Sequence, residues 1–137
     1  MKTVIKLSIL LVSITFMSFI NLPNQDQVKW EIPEKYKKMK NPTDASDRGL
    51  LMDAKSIYAK ECKSCHGKDG LGDGSKADGL KGYLGDFSDP EFFEDQTDGE
   101  LFYKIKIGRD DMPAFGKKLS GDEDIWLVIN YIKTLAE

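Results

Sequence analysis

The stretch KECKSCHGKDG, residues 60–70, contains both cysteines of the 137-residue chain, Cys62 and Cys65, and its only histidine, His66. On a helix, two residues three apart and the residue that follows fall within little more than one turn, so two sulfurs and an imidazole emerge on one side. Upstream, Leu51, Ala54, Tyr58 and Cys62 recur at spacings of three and four, which predicts a helix that delivers Cys62 on its buried face. Ser46 or Asp47 stands where its cap belongs.

Downstream the periodicity stops. Between Gly67 and Gln96 seven glycines punctuate a long loop, and a loop of that length in a small domain is either functional or disordered. Asp89-Pro90 suits a cap followed by proline in a first helical turn, so a short turn is expected over residues 90–93. Thr97-Asp-Gly-Glu100 and Ser120-Gly-Asp-Glu123 both fit the capping-box pattern. The first opens a helix with Leu101, Phe102 and Ile105 on one side, ending near Gly108. The second opens a helix striped by Ile125, Ile129, Ile132 and Leu135 and broadened by Trp126, Val128 and Tyr131. No alternating run with turn chemistry suggests a sheet, so the fold class is all-α. Three or four short helices and a glycine-rich loop make a poor core by themselves; something else is expected to fill the middle.

The N-terminus is of another kind. Lys2 and Lys6 precede a fourteen-residue apolar run, Leu7–Ile20, which reads as a signal peptide or an uncleaved membrane anchor over residues 1–22. No cleavage site of small residues follows clearly. Residues 23–46, with Pro23, Pro33 and Pro42 and a surplus of lysine, read as a linker or arm, part of which is expected to pack through Trp30 and Tyr36. Residues 47–137 form the domain. The expected location is outside the cytoplasm: the periplasm, or the outer side of the cytoplasmic membrane. With 40% hydrophobic and 31% charged residues the composition is that of a soluble globule, and a net charge of −3 lacks the basic surplus that nucleic acid requires.

Three chemistries compete for CKSCH. A dithiol redox site would need a βαβ context and leaves His66 without a role. A structural zinc site lacks a fourth ligand, since no other Cys or His exists. Covalent haem uses all three residues: the thiols add to two vinyl groups of one porphyrin and the imidazole reaches its iron. The export signal agrees, because haem c is attached outside the cytoplasm. A second axial ligand cannot be histidine. Met1 and Met17 lie in the leader, Met52 in the first helix and Met39 in the arm, whereas Met112 stands in the loop GRDDMPAFG before Pro113, which restrains its backbone. A methionine is as readily a core filler, but His66 with Met112 is a recognised cytochrome pair. Cofactor-binding residues are thus Cys62, Cys65, His66 and Met112, the last two as iron ligands. Three aspartates of the glycine loop, Asp69, Asp73 and Asp78, do not fit the calcium-loop register and read as solvated turns.

Together CKSCHGKDGLGDG, DDMPAF and IWLVINYIKTL resemble a class I, single-haem bacterial cytochrome c over residues 47–136. The resemblance implies a helical domain wrapped around haem c, with first and last helices crossing. Ala54 stands where the family has glycine, against Trp126 or Tyr131, which implies a slightly wider crossing. The family's proline after the haem motif, whose preceding carbonyl accepts a hydrogen bond from the imidazole, is missing, so another carbonyl in residues 67–81 is expected to orient His66. The implied activity is single-electron carriage between redox proteins, in a respiratory chain, by a monomer with a possible membrane attachment and no catalysis of its own. Arg109 pairs a haem propionate or caps its helix. The acidic run from Asp86 to Glu100 is a solvated face or a docking face. The rival reading is a haem enzyme or gas sensor, which needs an open sixth position and polar groups beside it.

Overall fold

The computed structural model describes residues 29–136; the leader expected over residues 1–22 lies outside them. In chain order the helices are α1 (Glu34–Lys37), α2 (Arg48–Glu61), α3 (Lys63–His66), α4 (Glu91–Glu94), α5 (Asp98–Ile107) and α6 (Asp122–Lys133), with 3-10 turns at Phe115–Lys117 and Thr134–Ala136. No strand occurs among the described residues; one isolated bridge joins Arg109 and Met112. No described helix is long and apolar enough to cross a membrane.

Local chemistry sets the helix starts. The Asp47 carboxylate accepts the Gly49 and Leu50 N–H groups and opens α2. Thr97 and Glu100 close the capping box of α5 in both directions. Asp89 accepts the Glu91 N–H at 2.9 Å, and Pro90 already has helical backbone angles, so α4 starts as its dipeptide suggests. The second expected capping box does not form. Gly121, with no side chain, precedes α6, and it is the Asp124 carboxylate that accepts the Ser120 N–H. Asp124 lies one residue closer to the helix body than Glu123, and its shorter side chain reaches back instead.

Helix α6 is the spine. It crosses α2 in the most extensive helix contact of the fold, and α5 packs beside it. Everything from Ile125 to Asn130 is buried, together with Ile132; the apolar stripe read from the sequence is nearly a full circumference because the chain surrounds this helix. Ala54 of α2 is fully buried. The two candidate aromatic partners divide their roles: Tyr131 meets Tyr58 of α2, with ring centroids 5.2 Å apart, whereas Trp126 stacks on Phe102 of α5 at 4.2 Å.

Part of the arm is a fixed layer of this fold. Tyr36 packs against Phe102 and Tyr103. Asn41 donates to the Trp126 carbonyl at 2.9 Å and to the Asn130 side chain at 2.8 Å, and Asn130 in turn donates to Thr43 Oγ1. That closed network explains how the only polar side chain in the described core stays buried. Gly99 makes the docking possible: a Cβ there would stand 1.8 Å from the Tyr36 carbonyl oxygen.

Candidate functional site

Helix α2 ends one residue before Cys62, and the chain turns again at once. The Cys62 N–H still donates to Tyr58, and the Cys62 carbonyl accepts from both Cys65 and His66. This second short turn, α3, is the KSCH segment itself. The glycine loop is ordered by bonding back onto it: Gly72 N–H to the His66 carbonyl at 2.9 Å, Gly74 N–H to Cys65 at 3.1 Å, and Lys76 N–H to Ser64 at 2.7 Å. Tyr58 adds a buried hydroxyl that donates to the Gly67 carbonyl at 2.8 Å. Long as it is, the loop is a brace for the motif.

His66 is held by its ring. Phe87 stacks on it with centroids 4.8 Å apart and planes 22° from parallel, and the Phe87 N–H is tied to Gly70 at 2.7 Å. Among the described residues, His66 Nδ1 is the one buried side-chain nitrogen or oxygen without a hydrogen bond. Burial holds the imidazole pKa below its ordinary value, and the Leu84 backbone opposes this in part. No carbonyl of residues 67–81, where one was expected to orient the ring, accepts a hydrogen bond from Nδ1. Burial, reinforced by Glu61 and Cys65, pushes the Cys62 thiol up to about 12. A dithiol catalyst needs a depressed thiol pKa, so this thiol is the wrong kind for that chemistry. No disulfide joins Cys62 and Cys65.

Met112 reaches the same cavity as His66 from the turn after α5. After α5, Gly108 takes φ 66°, and a Cβ there would lie 2.4 Å from the Met112 carbonyl oxygen; only glycine combines that angle with that approach. A tight turn follows, in which Arg109 and Met112 exchange both backbone hydrogen bonds, at 3.0 and 2.9 Å, and Asp110 takes φ 53°. Asp111 then ties the turn across the opening by accepting the Lys81 N–H at 2.7 Å. Arg109 lines the cavity, its guanidinium 4.2 Å from the Trp30 ring centroid and 3.3 Å from the Asp110 carboxylate.

The four predicted site residues converge. Cys62, Cys65, His66 and Met112 all line one cavity of about 690 Å³, walled by Tyr58, Phe87, Leu101, Phe115, Val128 and Ile132. Met52 is 71% exposed, and neither it nor Met39, which packs from the arm against the core, lines the cavity. Sequence reasoning placed Phe87 among the pocket and core aromatics without its stacking on His66, and missed the entry of Trp30 and Ile32 into the cavity wall. Phe87 carries the nearest thing to a signal, an aromatic amid glycines where a solvated loop needs none. No group of three or more Cys, His, Asp or Glu suited to a bare metal ion occurs among the described residues.

The volume, the apolar walls and the donor set of two thiols, an imidazole and a thioether fit a haem c. The comparisons agree. The family described as cytochrome C oxidase, cbb3-type, subunit III matches residues 49–132. Among solved structures, one similar chain belongs to the Kuenenia stuttgartiensis reducing HAO-like protein complex Kustc0457/Kustc0458, with 26% identity over 69% of this chain and a TM-score of 0.57. The match spans only 50% of that chain's length. Another is the KustC0563 c-type cytochrome, with 27% identity over 62% of this chain and 99% of its own, at a TM-score of 0.50. No curated protein matches. With its all-α cytochrome c fold and its thiols and imidazole on a common cavity wall, the chain belongs to the family of the cytochrome C oxidase, cbb3-type, subunit III, whose members are electron-carrying c-type cytochromes with covalently bound haem.

Proposed function

We propose that the protein holds one haem c through Cys62 and Cys65, with His66 and Met112 as the two iron ligands, and carries single electrons between redox proteins of a respiratory chain outside the cytoplasm. The observation that carries this reading is the convergence of those four side chains on one apolar cavity. The bound group supplies a one-electron Fe(III)/Fe(II) couple. The protein's part is to keep both ligands still: Phe87 fixes the imidazole plane, and the paired backbone of Arg109 and Met112 fixes the thioether. A ligand pair that does not move when the iron changes charge lowers the reorganisation that each transfer requires. Thioether ligation and apolar walls favour the reduced state relative to a second imidazole.

A transient, electrostatically guided encounter suits a carrier. Asp89, Glu91 and Asp95 of the acidic run line the cavity and are exposed, which favours a partner with a basic rim. Export rests on Lys2, Lys6 and the apolar run. Should that run be retained in a membrane, the eight residues 21–28 reach at most about 29 Å, and the docked arm adds no slack beyond Trp30. The partner would then be a membrane complex.

Whole-protein mass and optical spectra test the core of the proposal. One added haem, low-spin iron and a thioether-to-iron charge-transfer band that Met112→Ala abolishes are expected. High-spin iron in the wild type with ready CO binding would establish the enzyme or sensor reading instead. Fractionation with N-terminal mass spectrometry decides between release and anchoring.

A further inference from the structure

The family match begins at residue 49, yet Lys29, Trp30 and Ile32, which precede it by some twenty positions, line the same cavity as Cys62, Cys65, His66 and Met112. Their placement is not loose. The Trp30 ring meets the edge of Tyr103 with centroids 6.3 Å apart and planes at 83°, with Lys104 Nζ 6.0 Å from its centroid and the Arg109 guanidinium 4.2 Å away. At the other end Tyr36 sits on α5 and Asn41 is bonded to α6. An arm pinned this way lays its indole on the one residue whose backbone is doubly bonded to Met112.

We propose that Trp30 is a positioning residue of the cofactor site: by holding the Arg109 side chain under its ring, it keeps the turn from Arg109 to Met112 closed and the thioether on the iron. The inference rests on the haem reading above. The chain uses a segment outside the family match as part of its cavity wall, and that segment bears on the methionine side alone, since His66 is secured separately by Phe87 and the glycine loop. Loss of the contact frees the turn to open more often. An exogenous ligand binds only the open state, so its apparent affinity rises with the open fraction. A guanidinium stacked on an indole is worth enough to change that fraction by about 2- to 30-fold.

The test uses the full-length holoprotein in its ferric form, with imidazole as probe. Trp30→Ala is expected to bind imidazole about 2- to 30-fold more tightly than wild type, and to lose the thioether-to-iron band at a lower temperature. Trp30→Phe, which keeps a ring face for the guanidinium, is expected to recover most of both. Met52→Ala, on an exposed face away from the cavity, controls for nonspecific softening. Arg109→Gln approaches the contact from the other partner, and in the double variant with Trp30→Ala the two effects are expected not to add. Unchanged imidazole affinity in Trp30→Ala, or full additivity with Arg109→Gln, overturns the role of Trp30. A wild type without the thioether band overturns the haem reading first, so the two failures are distinguishable.

Discussion

Replacing Gly99 by alanine should destabilise the protein, against the ordinary rule for helices. Gly99 is the second residue of α5. Within a helix Gly→Ala gains up to about 1 kcal/mol from backbone entropy and propensity. Here the new methyl group would stand 1.8 Å from the Tyr36 carbonyl oxygen, 2.9 Å from its carbon and 3.0 Å from Met39 Cβ. A carbonyl cannot be rotated away like a side-chain tip, and this one also accepts the Met39 N–H at 2.9 Å. The α1 turn must therefore retreat by well over an ångström. Its retreat loosens Tyr36 from Phe102 and Tyr103, two aromatic contacts worth about 0.5–1.5 kcal/mol each. With a propensity gain of up to about 1 kcal/mol deducted from a loss of about 1–3 kcal/mol, the net loss centres on about 1 kcal/mol, which in urea lowers the midpoint by roughly 0.3–1 M for a domain of this size. The assay is urea unfolding of the holoprotein followed by far-ultraviolet circular dichroism. A midpoint equal to or above that of wild type would refute the reasoning, since it would mean that the arm does not press on α5.

Tyr58→Phe removes the hydroxyl that donates to the buried Gly67 carbonyl and should cost about 1–2 kcal/mol in the same unfolding assay; no loss would mean that the hydroxyl does not brace the loop. Asp111→Ala cuts the tie from the Met112 turn to Lys81. Because the bond is exposed, the unfolding midpoint should move by less than about 1 kcal/mol, while the thioether-to-iron band weakens on mild warming; a band as heat-resistant as that of wild type would exclude the tie. The Asp86 carboxyl titrates below its ordinary 3.8 because the Ser88 hydroxyl and N–H donate to it. A depressed folded pKa contributes stability that is present above 3.8 and lost as pH falls through the folded value. Ser88→Ala, followed by NMR titration, should move the Asp86 midpoint back up, and an unmoved midpoint would exclude Ser88 as the cause.

The sequence by itself carried the thiol–imidazole motif and most of the framework. CKSCH holds nearly all of its own geometry within one helical turn, so Cys62, Cys65 and His66 were legible as a unit. Asp47, Thr97 and Glu100 signalled their helix starts because capping acts over three residues. Met112 could be singled out from the methionines by elimination and by Pro113, although nothing local said that it would line the same cavity as His66.

Tertiary structure decided what depends on residues distant along the chain. The failed capping box at Ser120 turned on which of two neighbouring acids, Glu123 or Asp124, the packed helix leaves in reach. Asn130 looked like a flaw in an apolar stripe until Asn41 and Thr43, almost ninety residues earlier, came to satisfy it. Gly99 reads as ordinary punctuation, yet the Tyr36 backbone, from the far end of the described chain, stands at less than van der Waals distance from where its side chain would be. Trp30 could be expected to pack, but only the folded arm put it on the cavity wall beside Arg109. Short-range hydrogen bonding and helical spacing are written in neighbouring residues; steric approach and the pairing of buried polar groups exist only once the chain has brought distant segments together.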